Sequence, residues 1–200
     1  TYRLRVAPWA EGPLRYQVQM GLFDARTGER LPAATSAGAP LVPPIVGVVD
    51  VVPVGGAMPL PSHPLSAMLG DSVALRGYDR PSRIQPGETL TITLYWEALR
   101  GVDDDFVAFV HLWQPGAPAP IAQDDARPRQ GWFPTFAWEA GDWVVDGHSL
   151  TVPVTLAPGR YPLWAGLYRA DNGVRLPAAH AEERYPYDLV PLGELVIGDY

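Results

Sequence analysis

The chain has 200 residues, 47% hydrophobic and 18% charged, with a formal net charge of −7 and no cysteine. That length and balance give a folded chain of one large or two small domains with a real core. The negative charge argues against nucleic acid as a partner, and the missing cysteines exclude disulfides, thiol catalysis and thiolate metal sites.

No apolar run is long enough for a membrane helix. Twenty-three prolines and twenty glycines interrupt the chain too often for long helices, so short strands are expected. The first, "TYRLRV", places Leu4 and Val6 on one face, and its abrupt start suggests a piece of something longer. Residues 13–34 and 41–49 follow as further strand-like segments, and "VGGAMPLPSHP" reads as a linker. "SVALRGYD" is the next strand, then "TLTITLYWEAL", which sets Leu90, Ile92, Leu94 and Trp96 against Thr89, Thr91, Thr93 and Tyr95. That period of two marks a half-buried strand. "DFVAFVHLWQ" is apolar on both faces and is expected between two covered sides. After an aromatic stretch come "WVVDGHSLTVPV", "RYPLWAGLYRA" and "ELVIGDY". The sum is an all-β, two-sheet antiparallel sandwich of immunoglobulin-like or jelly-roll-like type, with helix confined to single turns. Val110, Leu163 and Leu167 join Leu90, Ile92, Leu94 and Trp96 in the expected core.

Part of the chain repeats. Residues 13–34, "PLRYQVQMGLFDARTGERLPAA", match residues 158–179, "PGRYPLWAGLYRADNGVRLPAA", at twelve of twenty-two positions without a gap. Leu4 and Val6 fall on Leu150 and Val152, and "LVPPIVGVV" from Leu41 aligns with "LVPLGELVI" from Leu189. The reading is a partial β module at 1–54 made of the closing strands of a repeat, a linker at 55–64, and a complete sandwich at 65–200. The inward face of the partial copy is Tyr16, Val18, Met20 and Leu22. Half a sandwich leaves that face and a strand edge uncovered. It must dock on the complete module around Pro162, Trp164 and Tyr168, pair with another chain, or belong to a longer parent. Where the first copy has Gln17 and Gln19 facing outward, the second has Pro162 and Trp164. The outer face has turned apolar.

The stretch "GWFPTFAWEAGDWVVDG" packs five aromatics into a loop. Trp138 and Trp143 bracket a turn and should pack beneath it. Trp132 and Phe133 sit beside Gly131 and Pro134 at the most exposed part, so with Trp164 they are the candidate ligand-binding residues. Asp103, Asp104 and Asp105 lie in an expected hairpin loop. They are the only hard-cation candidate, though without the Asp-x-Asp-x-Asp-Gly spacing of a calcium loop. No cofactor is expected. The four histidines lack paired spacing, and His111 reads as a hydrogen-bonded core residue. No nucleophile elbow occurs. Glu97, Asp124 and Glu139 are the acids a glycosidase would need, but nothing opposes any two of them. No enzymatic activity is expected.

A resemblance adds to this. Pro86-Gly87-Glu88 before an alternating strand, Tyr95-Trp96, and Phe109-Val110-His111-Leu112 lead into Pro134-Thr135, Trp138, Gly141-Asp142 and Asp146. This succession is similar to a β-sandwich accessory module that follows the membrane region of bacterial multi-pass membrane glycosyltransferases. The resemblance covers residues 65–200 and the partial copy. It implies an extracytoplasmic, cell-surface accessory domain of a longer membrane-anchored protein, with other domains of that parent or a second chain as partners, and no transferase chemistry here. Its expected work is interdomain contact, spacing or weak binding, the alternative being a carbohydrate-binding module with a glycan on exposed aromatics.

Overall fold

A computed structural model describes residues 14–41, 44–51, 60–114 and 116–199. The expected strand at 1–6, with its match of Leu4 and Val6, lies outside these residues. The chain forms two compact units, Thr1–Pro53 and Val54–Tyr200.

In the first unit, β1 (Leu14–Gln19) and β2 (Ile45–Val51) pair antiparallel as a two-stranded sheet. The inward face expected of Tyr16, Val18, Met20 and Leu22 is only half covered. Tyr16 and Val18 are half-buried, whereas Met20 and Leu22 are 59% and 73% exposed. The reason is architectural, since a two-stranded ribbon among the described residues has no second layer to close on.

The second unit is an all-β sandwich of two sheets. One contains β5 (Arg83–Ile84), β13 (Val190–Ile197), β10 (Gly159–Arg169), β7 (Phe106–Leu112) and β8 (Ala122–Ala126), in that order. The other runs β12 (Glu183–Arg184), β11 (Ala178–His180), β3 (His63–Leu69), β4 (Val73–Asp79), β6 (Thr89–Ala98) and β9 (Trp143–Thr151). Neighbours are antiparallel except β13 and β5, which are parallel. Among the described residues, helix is confined to three short 3-10 turns at Pro128–Gly131, Thr135–Ala137 and Pro186–Asp188.

The alternation in β6 does what period two requires. Leu90, Ile92, Leu94 and Trp96 point into the core and are fully buried, as are Val110, Leu163 and Leu167 from the facing sheet. Each such side chain contributes about 1.5–3 kcal/mol by leaving water. Tyr95, on the other face of β6, is also buried. Its hydroxyl donates to Asp79 at 2.5 Å, and that bond raises the phenol to about 12.

One expectation is corrected. The segment bearing Asp103–Asp105 joins β6 to β7, and these strands belong to different sheets. It is therefore an arch between layers rather than a hairpin. Of the linker read at 55–64, residues 55–59 lie outside the described residues, and β3 begins at His63, whose ring stacks on Tyr78 at 4.8 Å. Pro64 is tolerated because β11 reaches only Met68 and Leu69, leaving the start of β3 without a second neighbour. Opposite it, Gly77 has φ +156°, and a Cβ there would meet the His63 carbonyl at 2.6 Å. Only glycine fits that bulge.

Candidate functional site

The outward face of the five-stranded sheet is built by alternation along β7 and β10. Inward residues Leu163, Ala165 and Leu167 oppose Leu112, Val110 and Ala108. The intervening positions therefore point away from the core. They pair Trp164 with His111, Gly166 with Phe109 and Tyr168 with Val107. The next strand brings Asp125 beside Phe109 and Gln123 beside His111. A period-two pattern that is apolar on both faces has thus placed a layer of rings on the outside.

That layer is ordered from within. The Phe109 ring lies over Gly166, where a Cβ would meet it at 2.5 Å. It contacts the His111 ring at 4.6 Å and stacks on Tyr168 at 6.1 Å, with the Arg175 guanidinium 5.2 Å above it. Phe109 is consequently fully buried although it is on the outer face. Trp113 continues the row, 6.2 Å from His111, with its Nε1 donating to the Ala117 carbonyl at 3.2 Å. Trp113, Trp164 and Tyr168 each keep part of their surface open. His111 Nε2 meets Asp125 Oδ1 at 2.9 Å, and burial together with Asp125 raises the Tyr168 phenol. Among the described residues, His111 Nδ1 is buried without a hydrogen-bond partner. Half-open rings around a polar His–Asp pair can stack on an apolar ring face and bond its hydroxyls.

The sequence candidates are distributed differently from expectation. Trp132 is 61% exposed, but Phe133 is fully buried and its carbonyl accepts from Trp138 Nε1 at 3.0 Å. Phe133 is thus a core anchor, and the two neighbours form no joint platform. The chain turns inward at Pro134, and Thr135 is locked below by a 2.6 Å bond to the Asp104 carbonyl. Trp138 is buried and Trp143 half-buried, as the loop needs to be ordered. Trp164 sits on the aromatic face. The sequence missed Trp113 and Asp125 as its companions, Asp125 because "AQDDA" lacks the apolar alternation of a strand.

Two carboxylates of the acidic arch are engaged by arginines. Asp104 takes the Arg169 guanidinium through two bonds of 2.8 Å, and Asp105 binds Arg127 at 2.8 Å. The adjoining cleft of about 530 Å³ also holds Arg100 paired with Asp71. Its charges neutralise one another. Among the described residues, no three histidine or carboxylate groups gather as a metal site.

A second polar cluster clips the two sheets at one edge. His148 on β9 is buried, with Nε2 3.1 Å from Asp146 Oδ2 and Nδ1 in an ion-pair contact 3.2 Å from Asp124 Oδ2. Asp146 also accepts from Trp96 Nε1 at 3.3 Å and from the Arg129 amide at 2.7 Å. Burial alone would lower the imidazole, but Asp124 and Asp146 outweigh it and raise it to about 9. The same contact holds Asp124 below the usual carboxylate range.

Neither a protein-family profile nor a curated protein matches the chain. Several solved structures are similar to it. The C-terminal domain of wzt is 14% identical, with 70% of this chain and 83% of that one covered and a TM-score of 0.48. A Niemann-Pick type C2 protein from the Japanese carpenter ant is 6% identical, covering 64% and 95%, at 0.41. The alkylpurine DNA glycosylase AlkC of Pseudomonas fluorescens is 15% identical, at 0.35. That match covers 66% of this chain and 30% of the enzyme. Among the described residues no helix is long and apolar enough to cross a membrane.

Proposed function

We propose that the sandwich is a non-catalytic binding module whose ligand is a glycan, held on the outer face of the five-stranded sheet. The observation that carries this reading is the row Trp113, His111, Trp164 and Tyr168 around Asp125. A sugar presents an apolar face of C–H groups and a rim of hydroxyls. Half-open tryptophan and tyrosine rings match the first, while Asp125 and Gln123 match the second. The unsatisfied nitrogen of His111 carries a stability cost, which a ligand-facing role in holding Asp125 would explain.

The non-catalytic reading is supported by where the acids are committed. Glu97 binds Arg76 at 2.5 Å and Asp124 is held by the buried His148, so both are committed to ion pairs within the fold. The module serves a longer membrane-anchored protein of the cell envelope, on its extracytoplasmic side. Support for this is the resemblance of its Pro-Gly-Glu, Tyr-Trp and Phe-Val-His-Leu motifs to the accessory domain of bacterial membrane glycosyltransferases. Contact with another domain of that parent is the second reading, favoured by Pro162 and Pro191 flanking Trp164, since rigid apolar neighbours suit a protein surface as well.

The test is a glycan array followed by calorimetry with cell-envelope polysaccharides. Binding should fall at least tenfold on Trp164→Ala, with unfolding midpoints unchanged. Absence of glycan binding, with Trp164 becoming protected when a neighbouring domain is added, would replace this reading by the second.

A further inference from the structure

The first unit carries an exposed apolar groove of about 510 Å³ whose lining includes Met20, Leu22, Leu31, Ala33 and Pro44. The chain itself shows what such a surface is for, because β1 and β2 reproduce β10 and β13. Gln17 pairs with Val48 as Pro162 pairs with Glu194, and Tyr16 with Val49 as Tyr161 with Leu195. Both pairs are bulged at the same place, after which Gln19 meets Ile45 as Trp164 meets Pro191. The isolated bridge Phe23–Arg30 has its counterpart in Tyr168–Arg175. The turn between them is the same as well. Gly28 and Gly173 have φ of +71° and +72°, and the Glu29 and Val174 amides are bonded by Thr27 and Asn172. This pairing sets Gly47 on Gly193, two residues away from the alignment that sequence matching alone gives for 41–49.

Carried across, the groove residues Met20, Leu22, Leu31, Ala33 and Pro44 correspond to Ala165, Leu167, Leu176, Ala178 and Val190. All five are buried in the complete sandwich. There the edge of β10 from Leu163 to Arg169 is paired by β7. The corresponding edge, Val18–Asp24, has no such strand among the described residues. Apolar side chains beside an unpaired edge are a seat for an added strand.

We propose that the first unit is the closing half of a second module, and that its groove seats the opening half of a module of this kind, led by a strand with the pattern of β7. Such a strand alternates like Phe106, Ala108, Val110 and Leu112. It pairs antiparallel with Val18–Asp24 and lays those four side chains on Met20, Leu22 and Leu31. This inference is independent of the glycan reading.

The experiment uses the full chain and a labelled synthetic peptide of residues 104–114 with arginines added at its ends. Saturable binding by fluorescence anisotropy is expected, with slowed amide exchange at residues 18–24. Affinity should fall at least tenfold in the Met20→Asp/Leu22→Asp variant. Both substituted side chains are exposed, so the variant should keep its fold by circular dichroism. A peptide with Val110→Asp and Leu112→Asp should not bind. No binding, or binding equal in the variant, overturns the proposal. So does a dimer of the chain that disappears in the same variant, which would assign the face to a second copy.

Discussion

His148 and Asp146 lie two residues apart on the inward face of β9, and their side chains meet at 3.1 Å inside the edge of the sandwich. The imidazole also faces Asp124 of β8 at 3.2 Å, so one cation ties the two sheets together. Its folded-state value of about 9 stands above the ordinary 6.5. A raised value means the folded state holds the proton more tightly than the unfolded one. The stabilisation is therefore complete below about pH 6.5 and is lost as pH rises through about 9, a contribution on the order of 3 kcal/mol. Urea unfolding at pH 6, 7.5 and 9 should show this decline, and His148→Phe should flatten it. A stability that is constant over that range would show the imidazole to be neutral.

Much of this clip was invisible in the sequence, for a physical reason. The strands legible in the sequence, β4, β6, β7, β9 and β10, carry apolar residues inward, and β9 keeps Val144 and Leu150 on either side of its inward Asp146 and His148. β8 reads "AQDDA" because its inward residue Asp124 meets an imidazolium rather than a methyl group, which removes the hydrophobic signal. The same loss hid Asp125 and so the polar centre of the aromatic face. The arch between β6 and β7 was misread as a hairpin because pattern reports a strand's faces and not which sheet it joins. His111 was read as a core residue, and it is buried, yet it lies on the outer layer under its neighbours' rings.

That outer layer rests on Gly166. A methyl group there would overlap the Phe109 ring at 2.5 Å from Cζ and 2.7 Å from Cε1. Because His111 and Tyr168 lean on that ring, it cannot rotate away freely. Gly166→Ala should cost about 1–3 kcal/mol through overpacking and disturb the environment of Trp164, read as a shift in its fluorescence. A fully stable variant with unchanged fluorescence would show the layer to be soft.

At the arch, two kinds of polar contact can be set against each other. The Asp104–Arg169 pair is bidentate but open to solvent, and exposed pairs are screened and contribute little. Thr135 is fully buried. Its hydroxyl accepts from the Phe106 amide at 2.8 Å and donates to the Asp104 carbonyl at 2.6 Å. Thr135→Val keeps the volume but leaves two buried backbone groups unpaired, a loss of about 1–3 kcal/mol. Asp104→Ala should leave the unfolding midpoint nearly unchanged. The reverse order in thermal melts would mean that the arch is held by charge.

The adjacent aromatics Trp132 and Phe133 divide one sequence feature into two roles. Phe133 contributes its whole side chain to the core, packed below a turn that the Trp138 indole ties to the Phe133 carbonyl. Truncation there leaves a cavity that the fixed backbone cannot fill, so Phe133→Ala should lose about 3–5 kcal/mol. Trp132 is mostly in water, and Trp132→Ala should change stability by no more than about 0.5 kcal/mol. Guanidinium unfolding of the two variants measures both. The same Trp132 variant also separates two places for a glycan. If the sugar lies on the outer sheet face, Trp132→Ala binds it as the unsubstituted protein does while Trp164→Ala does not. If only Trp132→Ala loses binding, the ligand belongs on the loop, and the aromatic row of β7 and β10 serves another partner.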